Sequence, residues 1–316
     1  MTIKSKKSDS LPRSDLGRNE IRFAFFGTSR IAVFVLDALK EAGLIPDLII
    51  TPPDKAKGRG LAVQTSAVKG WALANKIEVL QPEHLDLAFS KLLTTDYRLQ
   101  TADVCIVVDY GKILPGTVLG APQRGFLNVH PSLLPRLRGP SPIRSGILND
   151  EKETGVSIIL VDEEMDHGSI VAQKRIVVSS WPPHIEELEE ALMREGGKLL
   201  AQILPQWVKG EIDSHEQNHD IATYSTKIGK EDGLLNLSDD AYKNLLKIRA
   251  YEGWPGTYAF FKRASKRIRV GILDAHIEND PSTPLGASVL VIDRVKPEGK
   301  RETSYAEFLR SGARQV

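Results

Sequence analysis

The fold is decided by residues 21–50, which read IRFAFFGTSRIAVFVLDALKEAGLIPDLII. The apolar run Ile21–Phe26 predicts a strand, and Ile31–Ala42 predicts an amphipathic helix after a short turn. Leu44–Ile50 predicts a second strand. A strand, a helix and a strand joined by short turns are typical of a parallel sheet with helices on both faces. This opening therefore predicts a doubly wound α/β fold.

The same alternation of elements continues as far as residue 209. Helices are predicted at Ala67–Lys76, Ile143–Asn149 and Ile185–Lys209, and strands at Val79–Leu80, Ala102–Val108, Gly125–His130 and Val156–Val161. Residues 21–209 thus form one predicted α/β domain. The polar residues 1–20 are expected to be a disordered tail.

The chain changes character after residue 209. Residues 210–227 are polar and are predicted to be a linker between domains. Residues 228–316 carry a predicted helix and short strands, which indicates a small β-rich domain. These elements are a helix at Ala241–Tyr251 and strands at Trp254–Phe261, Arg267–Ile272 and Ala287–Val295.

Composition excludes several classes of protein. A length of 316 residues fits two domains, and a net charge of +1 argues against a bulk binder of polyanions. Cys105 is the one cysteine, so neither a disulfide framework nor a multi-cysteine metal site is possible. The sequence contains neither an apolar run of about 18 residues nor a signal peptide. We therefore expect a cytoplasmic monomer that does not contact membranes.

The most informative stretch is NVHPSLLPRLRGPSP, residues 128–142. Asn128 and His130 are two apart on a predicted strand and share a face, and Pro131 ends that strand. Open α/β sheets bind ligands at the carboxyl ends of their strands. An amide can stabilise an oxyanion and an imidazole can move protons near neutral pH, as acyl transfer requires. The alternative is a turn asparagine beside a core histidine.

Asp166 supplies a third candidate group. The predicted strand that ends near Val161 runs into a loop closed by Gly168, and a carboxylate on that loop can orient a histidine. Seen alone, Asp166 would be a solvated loop carboxylate.

The chain resembles the folate-dependent formyltransferases, and within them the branch that acts on methionyl-initiator tRNA. The resemblance covers the chain from about Ile21 onward, because several separated segments agree in order. Besides residues 128–135 they are Gly27-Thr28, the segment from Pro53 to Gly60, Tyr110–Pro115, Glu153–Val156, Asp166–Gly168, Thr223–Ile228 and Trp254–Gly256.

The resemblance implies a Rossmann-like parallel-sheet formyltransferase domain followed by a small OB-like β-barrel. It implies 10-formyltetrahydrofolate as donor, the amino group of methionyl-initiator tRNA as acceptor, and no metal. Asn128, His130 and Asp166 fall on the catalytic trio of the family. Folate contacts fall on Ser132, Leu133, Leu134 and Pro135.

Two basic clusters are candidate tRNA contacts. The resemblance places Lys55, Lys57 and Arg59 on a loop that reaches the acceptor end of the tRNA. A second cluster lies in the C-terminal domain and consists of Lys262, Arg263, Lys266 and Arg267. In each case the alternative is an exposed charged loop or hairpin.

Three competing functions remain open. A formyltransferase for amino sugars on nucleotide carriers would share the central motif, and a non-catalytic RNA-binding relative would share the domains. A nicotinamide dehydrogenase is disfavoured, because the turn after Gly27 lacks the further glycines of a dinucleotide fingerprint. His215–His219 matches a zinc-protease pattern but lies in a polar segment, so zinc is not expected.

The sequence departs from the family at three places. Asp109 stands where a small apolar residue is usual, and Ser29-Arg30 replaces a proline. The segment from Asp280 to Val295 is short, so we expect a barrel that lacks one or two strands.

Overall fold

The computed structural model describes residues 21–57, 62–86, 89, 102–279 and 288–315. The strands are β1 (Phe23–Gly27), β2 (Leu48–Ile50), β3 (Lys55–Lys57), β4 (Ala62–Gln64), β5 (Val79–Leu80), β6 (Val104–Val108), β7 (Phe126–His130), β8 (Thr154–Leu160), β9 (Ile170–Ile176), β10 (Thr257–Arg263), β11 (Lys266–Asn279), β12 (Ser288–Pro297), β13 (Thr303–Ser304) and β14 (Ala313–Gln315). The α-helices are α1 (Arg30–Glu41), α2 (Ala67–Ala74), α3 (Gly116–Leu119), α4 (Pro142–Leu148), α5 (Ile185–Lys209), α6 (Ala241–Ala250) and α7 (Tyr305–Arg310).

The first sheet has seven strands in the order β5-β2-β1-β6-β7-β8-β9. The five strands from β5 to β7 are parallel, which confirms the predicted α/β class. The strand order reverses between β1 and β6, so a crevice opens at their carboxyl ends. Strands β8 and β9 are antiparallel to their neighbours, contrary to a wholly parallel sheet. The hydropathy pattern does not show the direction of a strand, because an apolar run looks the same in a parallel and in an antiparallel strand.

The main core lies between this sheet and helices α1 and α5. Phe23, Phe25, Leu36 and Leu200 are all fully buried there. Gly197 allows α5 to approach α1 closely, since a Cβ added at this position would lie 2.7 Å from Ala38 Cβ. The opposite face of the sheet buries a second cluster, which holds the remaining hydrophobic side chains of β1 and β6.

The second sheet is antiparallel, with the order β13-β12-β11-β10-β14. It curls into a half-barrel around buried residues such as Phe261 and Val270, which confirms the OB-like prediction. The described residues supply five strands, although β13 and β14 have only 2 and 3 residues. Helix α6 contributes Leu246 and Ala250 to a core shared with α4 and α5, so the two sheets are joined by packed helices.

Within the described parts of the chain, no helix combines the length and the apolar character needed to cross a bilayer.

Candidate active site

Asn128 and His130 lie on β7 and point to the same side of the sheet. The backbone of β7 is fixed on both sides, with Asn128 opposite Val107 on β6 and opposite Ile159 on β8. His130 is only 4% exposed, whereas Asn128 is partly accessible. The pair therefore occupies a rigid, largely water-excluded position.

The carboxylate of Asp166 contacts both side chains. Its Oδ1 lies 3.4 Å from His130 Nδ1 and 3.4 Å from Asn128 Nδ2. Its Oδ2 accepts a hydrogen bond of 2.7 Å from the backbone N–H of Gly139. The structure thus brings together the three residues that the sequence proposed as a catalytic trio.

Asp166 reaches this position because its loop folds back over β7. Strand β8 is antiparallel, so its end at Leu160 lies opposite Leu127 rather than beside the end of β7. The turn is tight: Asp166 has φ 53°, a left-handed conformation that aspartate tolerates better than most residues. A Cβ added at Gly168 would lie 1.8 Å from the carbonyl oxygen of Leu160, so only glycine fits there.

The orientation of the His130 ring is set by Leu137. Nε2 lies 3.0 Å from the carbonyl oxygen of Leu137, and because a carbonyl only accepts, Nε2 carries the hydrogen. In the neutral ring Nδ1 then has the free lone pair. The proton-accepting atom of the site is therefore Nδ1, which faces Asp166.

The predicted folate-contacting segment forms a rigid loop after β7. Ser132 and Leu134 are buried, and Ser132 Oγ donates to the carbonyl of Arg136 at 2.6 Å. Ser157 Oγ accepts from Leu134 N at 3.0 Å and donates to the carbonyl of Ser132 at 2.6 Å. The side chains of Leu133 and Pro135 remain partly exposed. Ser132 and Leu134 thus shape the loop, and Leu133 and Pro135 offer surface to a ligand.

Sequence reasoning missed the contribution of the segment 215–225, which lies within the predicted linker. Its backbone pairs with Ile170 at one end and with Arg138 at the other. Arg138 N donates to the carbonyl of Thr223 at 2.9 Å, and Ser225 N donates to the carbonyl of Arg138 at 2.7 Å. The segment therefore closes over both loops of the site. The segment is polar, and this composition led us to predict a solvated linker. The same polar residues form the hydrogen bonds to the site, so the composition was the available signal.

A shallow, open depression lies where the chain leaves β5 and β6. Its lining includes His84, Lys112 and Ile113, and Ile113 is 80% exposed. Asp109, the residue that departs from the family, is exposed just after β6 with φ 45°. An isoleucine so exposed is a natural contact for a flat apolar ligand.

The first predicted tRNA cluster lies on a hairpin. Lys55 and Lys57 belong to β3, which pairs with β4. Arg59 lies outside the described residues.

The second predicted cluster is divided between the two faces of the C-terminal sheet. Lys262 pairs with Arg267, and Arg263 pairs with Lys266, one position further along the same hairpin. Because side chains alternate along a strand, these two pairs point to opposite faces. Phe261 marks the face that is buried in the core, which is the face of Arg263 and Lys266.

The outer face combines exposed cations with aromatic rings, and we call it the basic face. The Arg267 guanidinium lies 3.8 Å from the centroid of the Phe260 ring, and that of Arg269 lies 3.8 Å from the centroid of Tyr258. The pairing register adds Lys296 and Arg314 to the same face. The basic face therefore consists of Tyr258, Phe260, Lys262, Arg267, Arg269, Lys296 and Arg314.

Comparison with known proteins gives consistent matches. A family model described as formyl transferase matches residues 21–204. A methionyl-tRNA formyltransferase of Chloroflexus aurantiacus is 39% identical, over 92% of this chain and 96% of its own. That of Myxococcus xanthus is 34% identical, over 91% and 94%. Among solved structures, the sugar 3N-formyl transferase WlaRD, determined with dTDP and 5-N-formyl-THF, has a TM-score of 0.62 at 18% identity, covering 90% of this chain and 100% of its own.

Proposed function

The chain belongs to the methionyl-tRNA formyltransferase family, and we infer from this that it transfers the formyl group of 10-formyltetrahydrofolate to the amino group of methionyl-initiator tRNA. The observation that carries the proposal is that Asn128 Nδ2 and His130 Nδ1 both contact the same oxygen of the Asp166 carboxylate. The proposal is tested by incubating the chain with this donor and charged initiator tRNA and identifying formyl-methionine after hydrolysis of the ester.

We propose a role for each member of the trio, which the site geometry supports. Transfer joins the amine nitrogen to the formyl carbon, breaks the bond from that carbon to the donor nitrogen, and moves one proton from the first nitrogen to the second. Negative charge grows on the formyl oxygen, and Asn128 Nδ2 can donate to it; one such donor is worth about 3 kcal/mol of barrier. His130 Nδ1 can take the proton and return it.

Protonation leaves His130 fully hydrogen-bonded. The Nε2 hydrogen already points to the Leu137 carbonyl, and the new Nδ1 hydrogen faces Asp166 Oδ1. Asp166 therefore receives the imidazolium without reorganisation, which is the feature that makes a preformed site efficient.

The donor fits the side of the site formed after β6 and β7. Leu133 and Pro135 present partly exposed apolar surface after β7, and Ile113 presents more after β6. These groups suit a flat ring system, and the donor supplies the formyl carbon there. The fold neighbour determined with a formylated tetrahydrofolate supports a donor of this class.

The acceptor is an RNA with a methionyl end, and the basic face is proposed to hold its backbone. Arginines stacked on aromatic rings bind phosphates and also stack on bases. Lys262 and Arg267 keep their proposed role, and Arg269, Lys296 and Arg314 join them. Arg263 and Lys266 lie on the other face and are secondary. Lys55, Lys57 and Arg59 remain proposed contacts to the acceptor end.

An amino sugar carried on a nucleotide is the second candidate acceptor. It is favoured by fold neighbours described as sugar formyltransferases, at 16–18% identity. The basic face and the full-length similarity to methionyl-tRNA formyltransferases favour tRNA over this alternative.

A further inference from the structure

The main chain of the Asp166 loop is held by one buried glutamine. Gln217 Nε2 donates to the carbonyl of Asp166 at 2.9 Å and to the carbonyl of Gly168 at 2.8 Å. Gln217 is 4% exposed, and its two amide hydrogens are both used on this loop. The Asp166 loop is thus fixed by one hydrogen bond before His167 and one after it.

The orientation of the Gln217 amide is imposed by Arg138. Arg138 Nε and Nη2 lie 3.1 and 2.7 Å from Gln217 Oε1. A guanidinium can only donate, so the oxygen of the amide must face Arg138 and the nitrogen must face the loop. Arg138 is itself 2% exposed, which makes this a buried, directional contact.

Arg138 also links the glutamine to the other side of the site. The residue before it, Leu137, accepts from His130 Nε2, and the residue after it, Gly139, donates to the Asp166 carboxylate. The contacts form a closed ring: the Asp166 main chain, Gln217, Arg138, Gly139 and back to the Asp166 carboxylate. If the ring is broken at Gln217, the contacts that remain to Asp166 itself among the described residues are those to its carboxylate.

We propose that Gln217 is a positioning residue for the transfer reaction, which holds Asp166 at the distance from His130 and Asn128 that the chemistry needs. The inference rests on the proposed function. Gln217 is buried and both ends of its amide are paired within the protein, so its proposed action is through Asp166. A glutamine of merely structural value would contribute to folding without being coupled to Asp166.

Two variants test the role. Gln217→Leu removes both halves of the contact, and Gln217→Glu keeps an acceptor for Arg138 while removing the donor to the loop. We expect each to lower kcat by about 10- to 100-fold, because displacing a catalytic group by about 1 Å costs that much. KM for both substrates should stay within about twofold. Gln202→Leu and Gln202→Glu, on the exposed side of α5, are matched controls expected to behave as wild type.

The deciding measurement is a double-mutant cycle with Asp166→Asn. If Gln217 acts through Asp166, adding Gln217→Leu to Asp166→Asn lowers kcat by less than about twofold further. Independent losses that multiply would overturn the inference, as would Gln217 variants with the turnover of wild type. If Gln217→Leu does not fold, Gln217→Glu replaces it in the cycle. Absence of formyl transfer by the wild-type chain would overturn the proposed function, and the inference with it.

Discussion

His130 Nε2 lies 3.0 Å from the carbonyl oxygen of Leu137, and this contact decides which nitrogen of the ring can take a proton. The hydrogen is committed to Nε2, so Nδ1 is the base, and Nδ1 faces Asp166. With this assignment, we propose that Asn128 stabilises the oxyanion, His130 moves the proton and Asp166 receives the imidazolium.

His130→Ala and Asn128→Ala are each expected to lower kcat by about 100-fold or more, because both groups act on charge that exists only in the transition state. The free energy of unfolding should change little by comparison. Steady-state kinetics at saturating donor and tRNA measures the effect, with His276→Ala on the exposed part of β11 as control. Turnover like that of wild type in either variant would refute its role.

Asp166→Asn is expected to lower kcat by about 100-fold, in the range of a lost general base. The amide oxygen can still accept from Gly139 N, which turns the new NH2 group toward His130 Nδ1. That group would donate to Nδ1 and occupy the lone pair that takes the proton. Glu164→Gln, exposed in the same loop, removes the same charge and should leave kcat unchanged. Equal behaviour of the two variants would contradict the assignment.

Tyr110→Phe is expected to stabilise the fold by up to about 1 kcal/mol, because it removes a buried hydroxyl that has no hydrogen-bond partner among the described residues. Burial also raises the pKa of Tyr110 to about 12, so the hydroxyl stays protonated and gains nothing by ionising. Tyr242→Phe is the matched control with the opposite expectation. The hydroxyl of Tyr242 donates to Asp150 Oδ1 at 2.8 Å, so its removal should lower the stability of the fold. Urea unfolding measures both. A loss of stability in Tyr110→Phe would show that its hydroxyl is satisfied.

The hairpin of β10 and β11 allows the tRNA surface to be tested with two pairs of cations on opposite faces. Replacing Lys262 and Arg267 with glutamine should raise KM for tRNA with little change in kcat. The log–log dependence of binding on salt should flatten by up to about one unit per lost phosphate contact. Replacing Arg263 and Lys266 removes the same charge from the other face and should have the smaller effect. Equal slopes in the two double variants would show that the basic face does not select the RNA.

Much of the fold could be predicted because its signals are local. Helix α5 was predicted at the bounds it has, Ile185–Lys209, since apolar residues recur along it at helical spacing. The direction of β8 could not be predicted, because hydropathy does not encode it. The predicted loop that carries Asp166 does follow the strand beside β7, and because β8 is antiparallel the loop folds back to reach His130.

The supporting residues of the site could not be found from pattern alone. Gln217 lies in a polar stretch without periodicity, and its buried contacts depend on Arg138, 79 residues earlier in the chain. Lys262 and Arg263 point to opposite faces of the sheet because of the register of β10. A run of basic residues in the sequence does not reveal this register. Both features are set by tertiary hydrogen bonds and register.

Formylation of methionyl-initiator tRNA is the activity proposed for this chain. The most direct test supplies 10-formyltetrahydrofolate with charged initiator tRNA and, separately, with an amino sugar on a nucleotide carrier, and measures kcat/KM for each acceptor with the same enzyme preparation. We expect transfer to the tRNA that is lost in His130→Ala, and little or no transfer to the sugar. A preference for the sugar, or transfer to tRNA that survives His130→Ala, would contradict it.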